Sequence, residues 1–165
     1  MKIVVACGML AFLILSSSLK NSDNQAATAK EYAQFEGVWR FALVEVEGAK
    51  QPEMPFETNK IIFISAERRY IVIQGTKITR GVFHLDPSKT PKQIDCTVTD
   101  SQDKSRTYFG IYELEGDTYK FCGSFRPSSE RPAKLLSEPK NGTIFEVFKR
   151  ANQSVKDALI ELDRK

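Results

Sequence analysis

The sequence predicts an all-β fold: an eight-stranded antiparallel up-and-down barrel followed by a short C-terminal helix. Three observations predict it. Eight β-rich runs, bounded by Gly, Pro, Asn and Asp, occupy residues 38–149. The early connections are short and no crossover helix separates the runs, so neighbours in sequence pair antiparallel. The period changes from strand to helix only in the tail after Arg150. Closing the sheet on itself removes both exposed edges, which an open meander would keep. An eight-stranded sandwich is the competing layout.

The first strand is Val38 to Val46, ended by Glu47-Gly48, and a loop with Pro52 and Pro55 follows. Lys60 to Ser65 and Arg69 to Gln74 form the second and third, joined at Ala66-Glu67. Gly75 leads into the fourth, Lys77 to Leu85, which Asp86-Pro87 stops. The fifth is Gln93 to Thr99 and the sixth Arg106 to Leu114. Glu115-Gly116-Asp117 turns the chain into the seventh, Thr118 to Phe125. A loop with Pro127, Pro132 and Pro139 precedes Asn141-Gly142 and the eighth, Thr143 to Lys149.

Alternation along these strands implies a half-buried sheet. Trp39, Phe41 and Leu43 share one face of the first strand, and Phe83 and Leu85 share one face of the fourth. Ile94, Cys96 and Val98 alternate with polar residues, as do Tyr119 and Phe121 with Lys120 and Cys122. Ile61 to Ile64 and Tyr70 to Ile73 are apolar on both faces, so their outer face needs cover from a partner or from the tail. In the tail, Val155, Ala158, Leu159 and Leu162 fall at helical spacing, with Asn152 or Ser154 as cap.

Three regions follow: a signal peptide and linker over 1–29, the barrel over 30–150 and a helical tail over 151–165. Lys2 followed by an uncharged run from Ile3 to Leu15 has the form of an export signal. The run is short of the about 20 residues that span a bilayer. An exported protein, periplasmic or secreted, is therefore expected, without a stable membrane span once the signal is cut. Ala27-Thr28-Ala29 is one candidate cleavage point. Residues 20–30 read as a polar lead-in, with one helical turn over Lys30 to Glu36 that brings Tyr32 and Phe35 to one side.

Removing residues 1–29 leaves 22 basic and 20 acidic residues, a formal charge of +2. That gives no electrostatic case for nucleic acid or an anionic membrane. Cys96 and Cys122 remain on the fifth and seventh strands, with the sixth between them. Next-but-one strands lie about 9 to 10 Å apart, whereas a disulfide wants Cα atoms within about 7 Å. Two free thiols are expected.

Chemistry finds little support. His84, the only histidine, precedes Asp86 by two residues, but no nucleophile is placed beside them. One histidine and two thiols on separate strands give no metal-ligand spacing. No cofactor motif occurs. Asp95 and Glu113 are simply read as salt-bridge partners of Arg106 or Lys120. Arg131, with Arg126 and Lys134, makes a small basic cluster that suits either an anion or solvent.

The stretch from about Phe35 to Arg150 resembles a bacterial family of lipocalin-like domains, best known from planctomycete genomes. The resemblance is carried by Gly37-Val38-Trp39, Gly81-Val82-Phe83-His84-Leu85-Asp86-Pro87, Gly110-Ile111-Tyr112-Glu113-Leu114, Phe121-Cys122, Arg131-Pro132 and Lys149-Arg150. It implies a lipocalin-like barrel and no activity. By the same resemblance, Gly37, Trp39 and Arg150 form a structural closure, with the guanidinium across the indole at the barrel's closed end.

The expected function is thus a non-enzymatic barrel holding a small, partly apolar ligand. Its contacts are expected among inner-face aromatics: Trp39, Phe41, Phe83 and Tyr112. The alternative is a protein-interaction module with a side-chain-filled barrel, although no partner is named by the sequence. A central meeting of Trp39, Phe41, Phe83 and Phe121 would leave little void and favour that alternative.

Overall fold

The computed structural model describes residues 25–99, 102, 104–124, 126 and 130–164. Helix α1 covers residues 25–35. Nine strands follow: β1 (Gly37–Val46), β2 (Ala49–Lys50), β3 (Asn59–Ile64), β4 (Arg69–Gln74), β5 (Lys77–Asp86), β6 (Lys92–Thr99), β7 (Ser105–Glu115), β8 (Thr118–Ser124) and β9 (Thr143–Arg150). Helix α2 (Val155–Asp163) ends the described chain. Each of β3 to β9 pairs antiparallel with its sequence neighbour, and β1 pairs with both β3 and β9. These eight strands close a barrel, and the two-residue β2 is an extra rung on β1. The expected strands all form, within a residue or two of their expected ends. Phe125, the expected end of the seventh, lies outside the described residues.

One register expectation fails. The β1–β9 pairing shifts between Phe41 and Leu43, so Ala42 is a bulge. A bulge moves later side chains to the opposite face. Val44 and Val46 therefore join Trp39 and Phe41 in the core cluster, while Leu43 faces away, opposite Val147.

The lead-in expectation also changes. Residues 25–30 belong to α1 rather than to a polar linker. Gln25, Ala26, Ala27 and Ala29 are good helix formers, and burial of Tyr32 and Phe35 anchors the helix. Ala27-Thr28-Ala29 lies within α1, whereas the expected export signal before residue 25 falls outside the described residues.

The outer face of β1, β3 and β4 gets its cover from the tail. Val38, Ile62, Ile71 and Ile73 pack with Ala158 and Leu162 of α2. Ser154 caps the helix, its Oγ accepting from the Asp157 amide at 3.1 Å. Lys60, only 2% exposed, donates from Nζ to Glu161 Oε2 at 2.9 Å and to Gln153 Oε1 at 3.3 Å. A buried ammonium is thereby neutralised by the helix that buries it.

Candidate functional site

The two barrel ends differ. At one, α1 enters the opening and Phe35 is fully buried. Its ring makes edge contacts with Phe63, Tyr112 and Tyr119 at centroid distances of 5.1, 5.2 and 5.0 Å. Tyr32 packs on Phe83 and accepts the Leu85 amide at its hydroxyl, 2.8 Å away. The Trp39 indole N–H donates to the Phe35 carbonyl at 3.0 Å. Arg150 lies over that indole, 4.1 Å from the ring centroid, and donates to the carbonyls of Glu36 and Gln34 at 2.6 and 2.7 Å. Gly37 has φ +138°, and a Cβ there would stand 2.7 Å from Arg150 Nη1. Gly37, Trp39 and Arg150 thus meet as one cluster that fastens α1 to the barrel.

The four aromatics expected to touch a ligand lie around this closed end. Trp39, Phe83 and Tyr112 are no more than 2% exposed and Phe41 is 7% exposed, packed on Phe148 at 4.8 Å. None of them lines the interior cavity described next.

Beyond Phe35 the barrel is hollow. A cavity of about 410 Å³ opens at the opposite end. Phe63, Tyr119 and Phe148 form its floor; Gln74, Lys77 and Arg106 stand near the mouth, beside the β4–β5 and β6–β7 connections. Its size falls within the range of about 300 to 1,000 Å³ usual for small-molecule sites. A larger groove of about 530 Å³ runs outside the closed end, between α1 and residues 65–68. That groove is lined only by α1 and one turn, whereas strands β3 to β9 wall the interior cavity, so the aromatic-walled cavity is the better binding candidate.

Glycines make the hollow. A Cβ on Gly110 or on Gly123 would come 2.3 Å from the Phe121 ring. The ring therefore lies flat on the wall where two side chains are missing, instead of filling the centre. Tyr70 uses Gly81 in the same way, with its ring carbon Cζ and its hydroxyl each 2.7 Å from a Cβ placed there. Neighbouring strands thus exchange bulk for backbone, and the interior stays open.

One carboxyl faces this cavity. Glu146 sits between Ile144 and Phe148 on the inner face of β9, paired with Val44 and Phe121. The residue is half-buried, yet protein surrounds the group and burial pushes its carboxyl up to about 7. Three other groups lining the cavity stay neutral near that pH. Burial pushes the Cys96 thiol up to about 12, and it holds the Tyr70 and Tyr119 phenols well above their ordinary value. No sequence signal marked Glu146, because apolar residues occupy both faces of Thr143 to Arg150 and alternation alone does not say which face is inner.

The remaining candidates have structural uses. His84 is exposed, with Nδ1 3.4 Å from the Tyr32 hydroxyl. Asp86 accepts from the Ser88 amide and hydroxyl, and the hydroxyl contact chiefly holds its carboxyl below the usual range. Arg131 donates to the Ile94 and Gly110 carbonyls and to Asp95 Oδ1 at 2.7 Å, so it ties the 130s loop to the outer wall. Asp95 therefore pairs with Arg131 rather than with Arg106, while Glu113 pairs with Lys120 at 2.8 Å. Cys96 and Cys122 are free thiols on β6 and β8, with β7 between them. Cys122 donates to the Leu136 carbonyl at 3.2 Å. Among the described residues no group of three or more His, Cys, Asp or Glu is placed to hold a metal ion. No described helix is long and apolar enough to cross a membrane.

No protein-family profile matches the chain, and neither the curated proteins nor the solved structures give a match.

Proposed function

We propose that this protein is a non-enzymatic barrel, exported from the cell and lipocalin-like in kind, which holds a small, partly apolar molecule in its interior. The observation that carries the reading is the aromatic-walled cavity of about 410 Å³, closed by α1 at one end and open at the other. An eight-stranded barrel either fills its centre with side chains or keeps room for one small ligand. Here the large aromatics gather around Phe35 or lie on glycines, which favours the second arrangement. The interaction-module reading, which needs a filled barrel, loses its main support.

The test is native mass spectrometry of the protein purified from its own host, with a Val98→Trp variant as control. Val98 lines the cavity, so an indole there occupies the space a ligand needs. A small-molecule adduct on the parent protein that is lost from the variant is the expected result. A bare mass for both, together with no uptake of an apolar fluorescent dye, would end the proposal.

A further inference from the structure

The charge layout of the cavity specifies more than an apolar occupant. We infer that the cavity recognises a ligand bearing a protonated amine, held at its inner end by the Glu146 carboxylate among aromatic rings. This rests on the proposal that the barrel binds a small molecule.

The argument begins with solvation. An ionised carboxylate inside an apolar barrel has lost much of its water and has to recover that loss from a partner. Among the described residues no hydrogen bond or ion pair from protein to the Glu146 carboxyl is present. Two other carboxylates at the margins of the core have one: Glu31 pairs with Lys92 at 2.6 Å and Glu161 with Lys60 at 2.9 Å. Glu146 occupies a mid-barrel position on the inner face of β9. Its presence there, unpaired and facing a void, is the mark of a group whose partner comes from outside.

The surroundings decide which partner. Phe63, Phe121, Tyr119 and Phe148 share the cavity with Glu146. Aromatic faces attract cations, most strongly where water is excluded. A protonated amine would satisfy the carboxylate and lie against those faces at once. A carboxylate or phosphate ligand would instead meet Glu146 as a like charge. A neutral alcohol would leave it protonated and would gain one ordinary hydrogen bond.

The buried titratable groups among the described lining residues fit this direction. Tyr70, Tyr119 and Cys96 remain uncharged at neutral pH and so do not compete for the amine. Tyr108 also lines the cavity. Lys77 and Arg106 stand near the mouth, separated from the floor by the depth of the barrel. Binding an ammonium favours the ionised carboxylate, so affinity rises with pH through the Glu146 titration and levels above it.

The experiment is calorimetric titration of the intact protein with tryptamine and with tryptophol, which differ only in the amine and hydroxyl ends. At about pH 8, tryptamine is expected to bind at least about tenfold more tightly, the least that a charge-assisted hydrogen bond confers. Glu146→Gln is expected to abolish that preference while leaving tryptophol affinity within about twofold. At about pH 5 the parent protein itself is expected to lose the preference, a readout that needs no variant to fold. Equal affinities at the higher pH, or a preference that survives both Glu146→Gln and acid, would overturn amine recognition and leave the cavity proposal standing. Failure of both probes to bind would overturn the inference, and an accompanying bare mass from the host protein would remove the proposal beneath it.

Discussion

The guanidinium of Arg150 lies 4.1 Å from the centroid of the Trp39 indole ring. That contact joins the last residue of β9 to the start of β1, and from there Arg150 reaches two carbonyls at the end of α1. Removing the side chain loses a cation–π contact of about 0.5 to 2 kcal/mol and charge-assisted bonds of about 1.5 to 3 kcal/mol each at most. Arg150→Ala is therefore expected to lower stability by roughly 2 to 4 kcal/mol, measured by urea denaturation. A loss below about 0.5 kcal/mol, the range of ordinary surface changes, would contradict a closing role.

Gly37 makes a second, independent test of the same corner. Its φ of +138° is one that side chains rarely adopt, and a Cβ would press on Arg150 Nη1. Gly37→Ala is expected to cost about 1 to 3 kcal/mol through backbone strain. In the Arg150→Ala background the steric part should vanish and only the strain remain, so the double mutant should be less than additive.

Lys60 and Glu161 respond unequally to substitution. Lys60 is 2% exposed, whereas the Glu161 side chain is 39% exposed. Glu161→Ala leaves a buried ammonium with Gln153 and the Phe56 ring but no counter-charge, while Lys60→Met removes the charge altogether. The expected order of stability, by thermal melting, is parent and Lys60→Met close together and Glu161→Ala clearly lower. Leu162→Ala, which uncovers the same outer face, is expected to cost about 2 to 3 kcal/mol.

The Glu146 carboxyl gives a pH signature without any ligand. Its folded value, about 7, lies above the ordinary 4.5. The folded state then holds a proton that the unfolded state has already released, so stability is greatest below the unfolded value. It falls as pH rises between those two values and levels off above the folded one. Partial exposure of Glu146 reduces the effect, so the expected loss is on the order of 1 to 2 kcal/mol between about pH 5 and pH 8. Glu146→Gln should flatten that part of the profile, and a slope unchanged by the substitution would refute the assignment.

Gly123 controls the cavity itself. All the atoms nearest a Cβ at Gly123 belong to the Phe121 ring, which can swing inward. Gly123→Ala is expected to keep the fold but to lose binding of an apolar dye, because the displaced ring occupies the void. Adding Phe121→Ala should restore the dye's fluorescence. Dye binding unaltered by Gly123→Ala would show that the ring does not gate the volume.

Strand order, strand boundaries and the two free thiols were legible because each depends on local pattern: alternation, turn residues and the fixed spacing between strands. The bulge at Ala42 was not, since the β1 sequence continues its alternation and only pairing with β9 reveals the extra residue. The expected ligand contacts were chosen as inward aromatics, and three of them are nearly fully buried around Phe35. Alternation gives a residue's face but not its height along the barrel axis, so it does not separate a floor from a cavity wall. Glu146 went unnoticed for a related reason, since an acid within TIFEVFKR looks like an outward residue until the neighbours fix the face.

By itself, then, the sequence determined that the chain folds as an antiparallel barrel with a helical tail. These are consequences of local period, turn chemistry and the cost of exposed sheet edges. Tertiary structure decided that α1 plugs one end, that α2 covers the outer face of β1, β3 and β4, and that glycine–aromatic pairs leave a void facing Glu146. Those depend on which residues from distant strands reach the same height in the closed barrel. That is fixed by register and closure, which no single stretch of sequence contains.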